Sequence, residues 1–206
     1  MRKIQPYKSL DGALRALDNG GRFFNVFTKA GDHVVTAAEL KKVAGVLGND
    51  VAAAMFYALA ISDLDDTARL KLRNALGPKA SDLVRRIPVR SLTPETFAVE
   101  ARAGKPCLVE GRVKKFKDVK VTGMIFMPIS TGKTTMIMPI PTEDHYTVYE
   151  LDGPNPEREC LVLTPKSHEL RGVYRFAGLP KEAQVECDGE TEKRLRLQPS
   201  YYYPIS

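Results

Sequence analysis

The sequence predicts an α+β fold: an all-α module over residues 1–90, followed by an antiparallel β-barrel module over residues 91–206. Three observations carry this expectation. Apolar residues recur at helical spacing in the first half, and short β-branched and aromatic runs separated by turn residues fill the second. Pro88 and Pro94 bracket the change of pattern. The charge divides at the same place. Residues 1–90 hold 15 Lys and Arg against 9 Asp and Glu, while residues 91–206 hold 16 of each, so the net +6 belongs to the helical half.

Each helix has a local justification. Leu10, Ala13, Leu14 and Leu17 form an apolar stripe behind Ser9, a plausible N-cap, and Asn19-Gly20-Gly21 stops that helix. Thr36-Ala37-Ala38-Glu39 reads as a capping box opening the next one. Asp50 to Ile61 (DVAAAMFYALAI) is apolar on most sides and predicts a central core helix. Ser62-Asp63-Leu64-Asp65 caps a further helix that carries Leu70, Leu72 and Leu76 and ends at Gly77-Pro78. A short helix over Ser81 to Ile87 closes the set.

The strand candidates are Cys107–Phe116, Val119–Ile129, Thr134–Ile140, Tyr146–Leu151, Cys160–Thr164, Gly172–Phe176, Ala183–Cys187 and Leu195–Tyr203. Among them, Ile129-Ser130-Thr131-Gly132-Lys133-Thr134-Thr135 contains the Gly-Lys-Thr that ends a phosphate-binding loop. Such a loop needs a glycine five residues before the Gly-Lys pair and must open a helix. That position is Met127, and the residues after Thr134 read as a strand. The stretch is therefore expected to be a hairpin with Ser-Thr-Gly-Lys as its turn. Both arms are apolar at consecutive positions. They hold four of the six methionines and suggest covered faces or a docking patch. Met124, Phe126, Met136 and Met138, with Tyr201, Tyr202 and Tyr203, are the partner-binding candidates.

Composition narrows the function classes. Apolar residues at 43% and charged residues at 27% describe a globular chain. The start, MRKIQPYKSL, does not read as a secretory signal, and no apolar run reaches the length of a membrane span. Cys107, Cys160 and Cys187 are odd in number and widely spaced, so reduced thiols in a cytoplasmic protein are expected. His33, His145 and His168 have no metal-ligand spacing, and neither Cys-x-x-Cys nor Gly-x-Ser-x-Gly occurs. No catalytic residue, cofactor or membrane partner is assigned, and these features weigh against an enzyme.

One segment resembles a known motif. Phe24 to Val43 (FNVFTKAGDHVVTAAELKKV) is similar to a calmodulin-type EF-hand, in its aromatic pair, its Lys-x-Gly-Asp turn, the β-branched Val35 at loop position 8 and the closing Ala-Ala-Glu-Leu. With the loop starting at Thr28, the resemblance implies calcium ligands at Thr28, Asp32, Val34 and Glu39, positions 1, 5, 7 and 12. Position 3 is Ala30 and position 6 is His33, where a site wants an oxygen and a glycine. The segment is thus expected to be a degenerate EF-hand-like helix–loop–helix that does not bind calcium. In the second half, Leu108-Val109-Glu110-Gly111-Arg112-Val113 and the late Gly178–Gly189 hairpin pattern resemble small OB-like barrels.

Two functions follow as expectations. The first is a non-catalytic interaction or regulatory protein acting on a protein partner. The alternative is nucleic-acid binding through Lys41, Lys42, Lys71, Arg73, Arg85 and Arg86 of the basic half, helped by the barrel. Lys114, Lys115, Lys117 and Lys120 form a further basic cluster, read as a solvated turn.

Overall fold

The computed structural model describes residues 1–18, 31–46, 48–130, 135–152, 160–187 and 190–205, with the backbone alone for 120–130, 135–142, 183–187 and 190–193. The expected turn at Gly132-Lys133, the stop at Asn19-Gly20-Gly21 and the start of the EF-hand-like segment lie outside the described residues.

The architecture mixes helix and sheet, and the helices start where their caps dictate. Helix α1 (Leu10–Leu17) begins after Ser9, whose hydroxyl accepts from the Gly12 N–H. In α2 (Ala37–Val43), Thr36 and Glu39 complete a reciprocal capping box. Helix α3 (Asp50–Ala60) is capped by Asn49 and is buried along nearly its whole length. Helix α4 (Asp66–Asn74) is capped by Asp65. That helix ends at Asn74, before Leu76, which bridges to Val35, and the Gly77-Pro78 pair opens the next one. Gly77 is the N-cap of α5 (Pro78–Arg86) and Pro78 is its first residue, where a missing N–H costs nothing. Helix α6 (Pro94–Glu100), not expected from the sequence, starts at a Thr93–Thr96 capping box.

Seven strands form one sheet among the described residues. They are β1 (Arg2–Lys3), β2 (Arg90–Leu92), β3 (Cys107–Ser130), β4 (Thr135–Asp152), β5 (Cys160–Pro165), β6 (Gly172–Cys187) and β7 (Glu190–Ile205). Several expected short strands merge into long ones. Cys107–Phe116 and Val119–Ile129 join as β3, because a register shift between Lys115 and Lys117 absorbs the irregularity as a bulge. Two strands also come from the first half: β1 pairs in parallel with β7, and β2 pairs in parallel with β3. The opening and closing residues of the helical half thus belong to the sheet.

The pairings of the five longer strands run in a circuit. β3 pairs β4, β4 pairs β5, β5 pairs β7, β7 pairs β6 and β6 returns to β3. Only the β5–β7 step is parallel, at Leu161↔Arg196 and Val162↔Leu197. Two apolar clusters follow from strand alternation. Val109, Tyr149, Leu151, Val162, Phe176 and Leu197 pack together with Phe97 of α6. On another face, Leu108, Ala177 and Tyr201 join the helical core around Leu17, Leu40, Phe56 and Leu59.

Arg175 of β6 pins the helices to the sheet. Its guanidinium donates to Asp63 at 2.6 Å and to Glu110 of β3 at 2.9 Å, and also to the Ser62 hydroxyl. Two carboxylates around one half-buried guanidinium compensate its desolvation.

Gly178 marks a close backbone approach in β6, beside the register shift at Ala177/Gly178. A Cβ there would lie 2.5 Å from the Gln198 carbonyl oxygen and 2.8 Å from Pro199 Cα. Both are backbone atoms, so Gly178→Ala forces the strands apart. Chemical denaturation is expected to show a loss of about 1–3 kcal/mol; an unchanged midpoint would contradict this packing.

Candidate functional site

The candidate site is the ribbon formed by the outer parts of β3 and β4. At its base, β4 pairs with β5 only over Tyr146–Leu151, and β3 pairs with β6 only over Cys107–Val113. Beyond those limits, residues 120–130 and 135–145 pair only with each other among the described pairings. The bulge at Phe116 sits where the ribbon departs. The Phe116 ring is 47% exposed, and Lys117 Nζ lies 5.3 Å from its centroid. Lys115 donates to Asp118 at 3.0 Å, and the Thr147 hydroxyl donates to the same carboxylate at 2.8 Å. These two hydrogen bonds, the Lys115 one foremost, hold the Asp118 carboxyl below its ordinary range.

Along the ribbon, Met127 stands opposite Met138 and Ile129 opposite Met136, while Phe126 faces Pro139 and Met124 faces Pro141. Strand alternation therefore divides the four candidates. Met124 and Phe126 fall on one face, and Met136 and Met138 on the other. Both faces carry apolar positions. Pro128, Pro139 and Pro141 have no N–H to donate, which a ribbon with no third strand paired to it among the described residues tolerates.

The three tyrosines of β7 are not equivalent. Tyr201 is buried, packs edge-on against Phe56 at 6.0 Å and donates to the Ala44 carbonyl. Tyr203 is half-buried against the same helical core. Tyr202 turns to the other face, where its ring meets His168 and Tyr174 at about 6 Å.

In the EF-hand-like segment Thr28 lies outside the described residues. The Asp32 carboxylate accepts from the Val34 N–H, a local turn contact. Glu39 is buried, with its carboxylate engaged by the Thr36 N–H and hydroxyl, both at 2.8 Å. Asp18, at the end of α1, organises the loop: its two oxygens accept from Gly31 at 2.9 Å and His33 at 2.7 Å. His33 adopts φ +62°, the left-handed conformation glycine favours. Val35 then bridges to Leu76, through Val35 N–H to Ala75 and Gly77 N–H to Val35. Among the described residues no group of three or more His, Cys, Asp or Glu side chains could hold a metal ion.

Half of the basic candidates are paired with acids. Lys41 pairs with Asp50, Arg86 with Asp50 and Asp82, and Arg85 with Asp82. Lys42 stands beside Lys41 in the last turn of α2. Lys71 and Arg73 are on α4, and Arg73 lines a groove together with Arg85. Cys107 and Cys160 are free and buried. Burial pushes the Cys107 thiol up to about 12 and the Cys160 thiol well above its usual value, so neither is a thiolate nucleophile at neutral pH. Comparison of the chain with protein-family models and with curated proteins finds no match.

Sequence reasoning passed over two of these features. Phe116 was legible as the aromatic inside Lys114-Lys115-Phe116-Lys117. Arg175 left no signal, since its partners lie 65 and 112 residues away.

The strained His33 yields a direct test. His33→Gly is expected to raise stability by about 1 kcal/mol, seen as a higher melting midpoint. Excess calcium is expected to leave the midpoint of the unsubstituted chain unchanged, since a real site would raise it.

Proposed function

We propose that this chain is a non-catalytic interaction protein, cytoplasmic and with free thiols, that docks a protein partner through the β3–β4 ribbon. The observation carrying this reading is the ribbon itself. A lone two-stranded hairpin is marginal in water, and apolar positions on both its faces call for a cover that one strand pair cannot supply. Prolines at 128, 139 and 141 remove donors from its edges, so docking proceeds through the faces rather than by adding a strand. Of the tyrosine run, Tyr202 beside His168 and Tyr203 against the helical core are both half-buried, and Tyr201 is buried.

The strand circuit supports an OB-like reading of the sheet: five strands, a single parallel step and two projecting hairpins. Such barrels bind through the hairpins between strands one and two and between strands four and five. Those positions correspond here to the β3–β4 ribbon and the β6–β7 ribbon. Residues 1–90 act as the scaffold beneath it. The segment at 24–43 is read as a degenerate EF-hand-like motif that works without calcium; in its described part, Asp18 accepts from Gly31 and His33, and Glu39 is taken up by the capping box.

A second reading, nucleic-acid binding, is favoured by one observation: Phe116, projected by a bulge among Lys114, Lys115 and Lys117, has the make-up of a base-stacking site. The mutual pairing of Lys41, Arg85 and Arg86 with Asp50 and Asp82 disfavours it for the helical half. No helix among the described residues is long and apolar enough to cross a membrane.

Affinity capture with the full chain tests the first reading. Proteins retained by the unsubstituted chain are expected to be lost with the double variants Met124→Glu/Phe126→Glu or Met136→Glu/Met138→Glu. Retention of the same proteins by both variants would contradict docking through the ribbon. So would capture that nuclease treatment abolishes.

A further inference from the structure

The helical layer holds a groove apart from the ribbon and the tyrosines. It lies between α3, α4 and the end of α5 and has a volume of about 500 Å³. Ala54, Ala58, Ile61 and Val84 give it an apolar lining. Leu70 also lines it and is 59% exposed, the most exposed large apolar side chain among the described residues. The groove runs into a second hollow of about 350 Å³ at the junction with the sheet, sharing Ala58, Ile61, Arg69 and Val89 with it. That hollow reaches Glu110 and Arg175.

The charges around the groove are lopsided. Arg69, Arg73 and Arg85 line it against one acid, Asp66. Arg69 contacts Asp66 at 3.4 Å and Arg85 contacts Asp82 at 3.0 Å. Arg73 has no ion-pair partner among the described residues. Beside it lies Tyr57, 4% exposed, whose hydroxyl has no hydrogen-bond partner among the described residues. A buried donor without an acceptor is costly, and its presence on the wall of an open groove points to a group that arrives from outside. Burial holds the Tyr57 hydroxyl protonated, with its value up at about 12 against the opposing charge of Arg73, so it remains a donor at neutral pH.

We propose that this groove docks an acidic, amphipathic helical segment of a partner protein. Its apolar residues lie along Ala54, Ala58 and Ile61 beside Leu70, and its carboxylates pair with Arg73 and Arg85 and accept from the Tyr57 hydroxyl. Two features select this occupant. Apolar anchors at helical spacing suit a groove between helices, and the Arg73 guanidinium, without an ion-pair partner among the described residues, suits an anion. A nucleic acid would meet the arginines but leave the aliphatic floor without a counterpart, and the one aromatic lining residue, Tyr57, is buried rather than offered as a stacking face. The groove is distinct from the ribbon, so the two docking surfaces stand or fall separately.

The test uses fluorescence anisotropy with the full chain and two labelled synthetic peptides of about 15 residues, roughly the shortest length at which an isolated helix forms. Both carry leucine at i, i+3, i+4 and i+7; one has glutamate at the remaining positions and the other lysine. The glutamate peptide is expected to bind on the order of tenfold tighter than the lysine peptide. Arg73→Gln and Leu70→Glu change exposed side chains and are expected to weaken it by a similar factor with no shift in melting midpoint. Tyr57→Phe, which keeps the ring packing, is expected to weaken it severalfold. Absence of glutamate-peptide binding, equal binding of both peptides, or binding indifferent to Arg73→Gln would overturn the proposal. So would displacement of the peptide by a single-stranded oligonucleotide, which would make the groove a phosphate site.

Discussion

Helix α3 is the element on which the rest of the molecule depends. An 11-residue helix that buries Ala52, Ala53, Ala54, Met55, Phe56, Tyr57, Leu59 and Ala60 has almost no solvent face, so it must be enclosed on nearly every side. Leu17, Leu40 and Leu72 of the neighbouring helices cover part of it, and Leu83 of α5 covers Ala53 and Ala54. The sheet supplies the remaining cover with Leu108, Ala177 and Tyr201. That demand explains why β3, β6 and β7 are apolar on two faces. One face meets α3 and its helices, and the other builds the second cluster around Tyr149, Phe176 and Leu197. Arg175 lies at the edge of the same contact, where Ser62 and Asp63 from just beyond α3 meet Glu110 of β3.

The arrangement sorts the conspicuous side chains into structural and available ones. Tyr201 belongs to the core, and Lys41, Arg85 and Arg86 share Asp50 and Asp82. Glu39 closes a helix cap, and Asp18 holds a loop in a conformation that His33 tolerates poorly. What remains available is the ribbon beyond the strand circuit, Phe116 at its base, and the groove beside Arg73 and Leu70. The proposed recognition draws on these three.

Much of the helical half was legible because its signals are local. Ser9, Thr36 with Glu39, and the apolar run of α3 each act within a few residues, and each appears where the sequence places it. The hairpin around Gly132 was legible from its turn chemistry and from the strand character after Thr134, although the turn itself lies outside the described residues. Strand lengths were not legible. A bulge at Phe116 lets β3 continue through a run of lysines that reads as a break, because backbone pairing with β4 outweighs local preference. Helix α6 hid behind Pro94, which reads as a breaker until it is seen at a first helical position. The contributions of Arg2–Lys3 and Arg90–Leu92 to the sheet depend on partners far away in the chain, as does the Arg175 cluster. The groove is harder still to see, because it exists only as the gap left between three helices.

Binding of a labelled single-stranded oligonucleotide by the full chain, followed across a salt series, tests the central claim most directly: these surfaces recognise protein rather than phosphate. Cations already paired with carboxylates, as Lys41, Arg85 and Arg86 are with Asp50 and Asp82, release few counterions, so the account predicts no measurable binding near 0.15 M salt, roughly the physiological ionic strength, and only a shallow dependence below it. Tight binding that falls steeply with salt and disappears in Phe116→Ala would contradict it, and would move the function to the lysine-flanked bulge at the base of the ribbon.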